Sequence, residues 1–433
     1  MNIKRTYLFY FFALVVLIIF SISYVLHNKV KPATTYYYKS YNQYSNNGKD
    51  NNVVTGSKKT LLSKVILSKN INSLGFDTTP IVSGDMEYVG TMNRTTLTGG
   101  LYAIKRTTGK VAWHDNFSNW IMTNPVVVPS KNMVFVGSGN SKHYGNIKNT
   151  NTLYRGTGNN YIYGINITNG KVIWKYKTLG ENMPTPIYKN GILYFVNGNR
   201  KFYALNSTTG KLLWSISTGS IVSMSSPVLI GNNVYFGGAL PYKFFDVNIR
   251  TKKIAWADSF PKVTGALDDT TPTYSNGYIY TNATVLTNYK NNMGTEYLYK
   301  INAKTGKIIW SLKEGSGVIN LPTDPMEGSV STIVNNILYT SSNTTRKIFA
   351  VNVDTKKVLW NFKVKGMVNS PFIVMKNLIY STTVNGNIYV LNIKNGEFIA
   401  KRTLGGPELA SGISFYSGKF YATTGNGNFY VFQ

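Results

Sequence analysis

The sequence predicts an all-β fold: an eight-bladed propeller of four-stranded blades, closed by pairing the two chain ends, behind one N-terminal transmembrane helix or signal segment. Three observations predict it. A strand-turn-strand unit recurs along the chain, six of the seven tryptophans occupy one position of that unit, and one copy is split between the start and the end of the array. A unit repeated every 40 to 60 residues marks a propeller or array.

The unit is clearest at Tyr163–Trp174, Y-G-I-N-I-T-N-G-K-V-I-W. Gly164, Asn166, Gly170 and Trp174 return forty residues later as Ala204, Asn206, Gly210 and Trp214. The frame recurs at Ala103–Trp113, Asp246–Trp256, Lys300–Trp310 and Ala350–Trp360, and a seventh copy, Val390–Ala400, lacks the Trp. Each part has a physical task. Aromatic and β-branched alternation suits half-buried strands. Asn bonds its own backbone two residues on, and Gly takes positive φ at no steric cost. The Trp offers a large apolar surface to a neighbouring sheet. Fixed spacing and a fixed Trp argue against an ordinary hairpin sandwich.

In chain order, Lys4 and Arg5 precede an apolar run at Tyr7–Leu26 that is long enough to span a bilayer. A retained membrane anchor is favoured because no A-x-A cleavage site is present; the rival is a signal peptide cut after the small residues Ser21 and Ser23. Residues 1–31 are therefore assigned to anchor or signal and 32–59, rich in Tyr, Asn, Ser, Thr and Lys, to a flexible polar linker. The propeller is assigned to 60–433.

The array opens in mid-unit. Ser63-Lys64-Val65-Ile66-Leu67 matches the G-K-V-I-W half, and the chain ends on a first half at Phe429–Gln433, so the ends complete one blade and remove a sheet edge. Eight strand pairs precede the motifs, starting near Pro80, Pro125, Pro186, Pro227, Pro272, Thr332, Pro371 and Gly412. With strands labelled A to D outward from the axis, the D–A and B–C loops share one face and the A–B and C–D turns share the other.

Three long insertions, Gly139–Asn160, Ala283–Glu296 and Gly315–Ser329, all map to the D–A/B–C face. So do eight of the 17 acids: Asp77, Glu181, Asp268, Asp269, Glu296, Asp324, Glu327 and Glu408. Function concentrates on loops held by a rigid scaffold. Asp268-Asp269 is the one adjacent acidic pair on this face; close carboxylates repel, which raises one pKa and suits acid–base work. These two residues are the candidate catalytic pair if the protein is an enzyme. Trp120, the one tryptophan off the repeat, joins Glu181, Asp324, Glu327 and Glu408 as a candidate for the ligand face. For each acid the competing reading is a turn or cap residue, and for Trp120 a core cap.

The net charge of +29 is spread over every repeat with no basic run above two, which argues against nucleic acid as partner. An anionic surface fits better. Few acids with many Asn, Tyr and Thr also suit a protein working at low pH. With no cysteine there is no lipidation site, disulfide or thiolate chemistry, and three scattered histidines make no metal site. No G-x-S-x-G, H-E-x-x-H, Walker A or EF-hand pattern occurs.

The repeat resembles the PQQ-like propeller family, whose docking motif is A-x-D-x-x-x-G-x-x-x-W. Here the motif's Asp is Asn in six copies and Lys105 in one. The resemblance covers roughly 60–433 and implies the fold; folds host many activities. It implies three functional classes. The first is an extracytoplasmic, membrane-anchored scaffold that binds a protein or cell-surface partner on the D–A/B–C face, as in BamB-like members. The second is a tetrathionate hydrolase-like extracellular enzyme of an acidophile. The third is a PQQ-dependent dehydrogenase, ranked last because the vicinal disulfide such enzymes carry cannot form here. No cofactor is expected, PQQ with Ca²⁺ included. The expected location is the cell membrane through residues 7–26, with the propeller outside the cytoplasm, or secretion if the leader is removed.

Overall fold

Eight short apolar strands stand at the centre of the fold: Ile81–Ser83, Val126–Val128, Ile187–Lys189, Val228–Ile230, Thr273–Ser275, Thr332–Val334, Ile373–Met375 and Ile413–Tyr416. Each starts a four-stranded antiparallel sheet, and these sheets are blades 1 to 8 in order. Most residues of these first strands are buried, whereas the fourth strands, such as Val172–Lys177 and Lys357–Lys363, alternate between exposed and covered; strand A therefore lies inward and strand D outward. The computed structural model describes residues 53–54, 62, 64–71, 75–93, 95–140, 144–148, 150, 152–288, 290–319, 328–406 and 412–433. All belong to the unit Tyr38–Gln433. The expected anchor at 7–26 lies outside the described residues, among which no helix is long and apolar enough to cross a membrane.

The ring closes as expected. Val65–Asn70 pairs antiparallel with Asn428–Phe432, running from Val65 opposite Phe432 to Asn70 opposite Asn428. The N-terminal strand is thus strand D of blade 8. Polar side chains before the A strands link consecutive blades: the Thr79 amide donates to Asn124 Oδ1 at 2.7 Å, Asn124 to Thr185 at 3.2 Å, the Thr185 amide to Ser226 at 3.0 Å and the Ser226 amide to Thr271 at 3.1 Å. Within the expected linker, Val53–Val54 pairs parallel with Val374 and Met375, adding a fifth strand to blade 7. An otherwise unpaired inner edge accepts such a strand.

The Trp motif works between blades. In blades 1, 2, 4 and 6 the indole N–H donates to a carbonyl in the next blade's C–D turn: Trp113 to Ile167 and Trp174 to Ser207 at 2.9 Å, Trp256 to Ala303 and Trp360 to Ile393 at 3.0 Å. The turn glycine below must be bare. A Cβ at Gly210, where φ is +70°, would stand 2.5 Å from the Trp174 ring. The two turns with lysine in the glycine place, Lys252 and Lys356, keep a positive φ, and the tryptophans facing them, Trp214 and Trp310, make no such bond among the described residues. In blade 5 Lys300, at the motif's first position, reaches across instead: its Nζ donates to Val353 O at 3.1 Å and sits 4.1 Å from the Tyr278 ring centre. The missing Trp at Ala400 follows from closure, since blade 8 has no C–D turn for it to dock on.

Candidate functional site

Blade 2 carries the first long insertion between its strands B and C. Part of it folds as a hairpin, Tyr144–Asn146 against Leu153–Arg155. Backbone bonds fasten the hairpin's end to blade 3: Arg155 N donates to Gly198 O at 2.9 Å, Glu181 N to Arg155 O at 3.0 Å, and Gly198 N to Glu181 O at 2.9 Å. The Arg200 guanidinium adds a bond to Leu153 O at 2.5 Å. Gly198 permits this approach, because a Cβ there would meet Arg155 O at 2.4 Å. The second insertion and the described start of the third lengthen blade 5: strands Tyr278–Asn288, Met293–Asn302 and Ile308–Val318 run 11, 10 and 11 residues. Alternating side chains let strands grow where loops were expected.

The hairpin delivers Arg155 to a group of carboxyls. Its Nε stands 3.2 Å from Glu181 Oε1, and its outer nitrogen 3.9 Å from Asp269 Oδ1. Glu181 comes from the D–A loop after blade 2, and Asp268 and Asp269 from the D–A loop after blade 4. That loop turns tightly, with Asp269 N and Thr270 N donating to Ala266 O at 3.1 and 2.8 Å. A third D–A loop clamps it: Met224 N and Ser225 N donate to Asp268 O at 3.0 and 2.7 Å. Residues far apart in sequence thus converge because the D–A loops all lead toward the innermost strands.

The electrostatics follow from burial. Glu181 has no exposed surface, and burial pushes its carboxyl up to about 8, with Arg155 pulling down and Asp269 pushing up. Asp268, 8% exposed, is held well above the carboxylate range by burial and then by Asp269. Asp269 is raised by burial, with Arg155 opposing. Burial works against the charge on Arg155, but Glu181, Asp269 and Asp268 together outweigh it and hold the guanidinium charged. Tyr144 and Tyr242 stand near enough for the aspartates to raise their phenols further, after burial as the main cause. The site therefore combines one fixed cation with carboxyls that keep protons at pH values where free ones have lost them.

Of the residues singled out in the sequence, Glu181, Asp268 and Asp269 meet around Arg155. Trp120 is 4% exposed and its indole N–H donates to Asn93 O at 2.8 Å. Its backbone carbonyl accepts from Gly139 at 3.1 Å, and Gly139 abuts Glu181, so Trp120 supports the loops rather than presenting a face. Asp324, Glu327 and Glu408 lie outside the described residues. Sequence reasoning passed over Arg155; the available signal was its rarity, one of eight arginines among 46 basic residues and the one in the longest insertion. A second carboxyl pair also emerges in blade 5. Glu314 accepts from Asn282 at 2.6 Å and Glu296 from the Thr344 amide at 3.2 Å; burial raises both, and Glu296 raises Glu314 further.

Comparisons with known proteins agree with this fold. The family model described as outer membrane protein assembly factor BamB matches residues 143–294 and 294–428. A tetrathionate hydrolase from Acidithiobacillus ferrooxidans is 30% identical over 320 residues, covering 70% of this chain; the chain spans 63% of that relative's length. Among solved structures, BamB from Moraxella catarrhalis superposes with a TM-score of 0.62 at 16% identity, over 86% of this chain and 99% of that one. A quinohemoprotein alcohol dehydrogenase from Comamonas testosteroni gives 0.62 at 11% identity, over 92% and 81%. A europium-containing methanol dehydrogenase gives 0.61 at 12%, over 90% of each chain. The residues here do not fit a quinone with a bound cation. Among the described residues the Glu181, Asp268 and Asp269 carboxyls gather around the Arg155 guanidinium, which repels a second cation there, and no cysteine pair exists to cover a quinone.

Proposed function

The chain belongs to the propeller family described as outer membrane protein assembly factor BamB, and from that premise we propose that it is an extracytoplasmic hydrolase of small sulfur oxyanions of the tetrathionate class, working in acid at the Arg155 cluster. The observation that carries the reading is one half-buried guanidinium flanked by Glu181 and Asp269, with Asp268 alongside. A fixed positive charge suits an anionic substrate, and carboxyls with raised pKa values keep protons that they can donate in acid. Arg155 holds the substrate's charge and Glu181 orients Arg155. Asp268, the more strongly raised of the pair, gives its proton to the leaving group. Asp269, beside Arg155, keeps its own proton in acid and positions the attacking water, whose proton passes to solvent. The similarity to a tetrathionate hydrolase supports the substrate class. Trp120, Asp324, Glu327 and Glu408 belong to the loops proposed to frame the same face.

The test is turnover of tetrathionate at acid pH by the wild type, Asp268→Asn and Asp269→Asn, beside Asp354→Asn on the opposite face. The proposal expects loss of turnover in the first two and none in the third. Equal behaviour of all three with folding intact would overturn it. A second reading, a scaffold that captures a protein or cell-surface partner, is supported by the family's description. On that reading the wild type has no turnover to lose and the same aspartate changes weaken capture.

A further inference from the structure

All eight outer strands carry the same irregularity. In blade 2, Gly164 faces Trp174 and Ile165 faces Val172, so Ile173 is an extra, unpaired residue. The equivalent bulge residue is Ala112, Leu213, Ala255, Ile309, Leu359 and Ile399 in blades 1 and 3 to 7, and Ile66 in blade 8. A bulge re-aims side chains, and the one before the docking Trp is sent outward. Ile173 is 51% exposed, Leu213 48%, Ile309 47%, Leu359 44% and Ile66 39%, while Ile399 is half-buried against the core.

The bulge itself has a structural task, since it turns the following Trp onto the next blade and spoils an open sheet edge. That task sets no requirement on an outward side chain. Yet every bulge residue is Ala, Ile or Leu, in a chain otherwise rich in Asn, Ser, Thr and Lys. Their neighbours Val111, Leu212, Ile254 and Phe398 are exposed as well. In blades 1 to 7 each bulge lies within a few residues of a C–D turn, so the side chains sit about 7 Å from the edge of that face, two residues of strand rise. The same turns carry lysine in blades 1 to 7, from Lys110 through Lys171 and Lys307 to Lys394, with Lys64 at the closure, against Asp85, Asp354 and Glu397 as the acids among the described turn residues of this face.

We propose that the A–B/C–D face is a docking surface for an anionic lipid bilayer, with the bulge residues entering the headgroup boundary and the turn lysines meeting the phosphates. Aliphatic side chains ringed by lysines are the composition of an interfacial membrane contact. Charge complementarity alone would suit any polyanion; the aliphatic residues gain only from a surface with an apolar layer beneath the charge. The orientation leaves the Arg155 cluster, on the opposite face, directed away from the lipid.

The absence of cysteine makes the test simple, because one introduced cysteine is labelled uniquely in the full-length chain. Ile173→Cys, Leu359→Cys and, on the opposite face, Lys262→Cys are each labelled with an environment-sensitive fluorophore. They are mixed with vesicles of phosphatidylcholine, alone or doped with phosphatidylglycerol. The expected result is a blue shift at positions 173 and 359 with the anionic vesicles and none at 262. Adding Lys171→Glu with Lys211→Glu is expected to weaken the vesicle response at Ile173→Cys by at least about thirtyfold, at about 1 kcal/mol for each of the two basic residues lost. No shift at the bulge positions, equal shifts on both faces, or equal shifts with neutral lipid would overturn the proposal. A shift that grows with protein concentration without vesicles would overturn it in favour of contact between copies of the chain.

Discussion

Raising the pH should destabilise this propeller through the range in which most proteins are gaining stability. Every carboxyl whose pKa is resolved away from the ordinary value is raised, with burial the first cause each time: Glu87, Glu181, Asp246, Asp268, Asp269, Glu296 and Glu314. A carboxyl raised in the fold keeps its proton there while the unfolded chain has lost it. The unfolded state then binds fewer protons, and stability falls as pH rises between the unfolded and folded values. For Glu181 the window runs from its unfolded value of about 4.3 to about 8 in the fold. At about 1.4 kcal/mol per pH unit this one group removes about 5 kcal/mol across the window. A domain's whole stability is on the order of 5–15 kcal/mol, so one side chain is decisive. Urea midpoints measured from pH 4 to pH 8 on wild type and Glu181→Gln would read this directly, with the variant's slope shallower by about 1.4 kcal/mol per pH unit. Wild-type stability that rises with pH, or equal slopes in the two proteins, would refute the reasoning.

Three further outcomes follow from the packing. Trp174→Phe should cost about 2 kcal/mol more than Trp214→Phe in denaturant unfolding, because only Trp174 leaves the carbonyl of Ser207 unpaired. Lys300→Met should destabilise by about 1–2 kcal/mol through loss of its bond to Val353 and its contact with Tyr278, with the cost seen as a lower thermal midpoint. Removing the chain through residue 70 should expose the outer edge of Asn428–Phe432 and make the protein associate more than the full chain does on gel filtration.

The ring was legible because its physics is local and repeated. Asn at the turn, Gly at positive φ and Trp ten residues after the first motif position recur in a fixed frame, and the split repeat at Val65 and Phe432 told how the ring closes. Even the departures made sense once neighbours were known, as with Ala400, which has no turn to dock on. The site was half legible. Glu181, Asp268 and Asp269 could be put on one face by counting strands, but their meeting point is Arg155, carried by a hairpin inside an insertion that has no repeat to anchor it. Its position depends on backbone bonds to Gly198 and Glu181 that no periodicity encodes. Trp120 was ambiguous between ligand face and core cap because both use the same aromatic surface; the bond to Asn93 and its burial speak for the cap. Glu314 was invisible as a partner of Glu296 because strand lengthening, not loop growth, brings them together.

The measurement that bears most directly on the proposed site is the kinetics of Arg155→Lys toward tetrathionate at acid pH, alongside its folding. Lysine keeps the charge but not the planar fork that meets Glu181 and Asp269 together. The account predicts a folded protein with kcat/KM lowered on the order of a hundredfold, the scale of losing one preorganised electrostatic contact. A folded variant that turns over tetrathionate at the wild-type rate would contradict it.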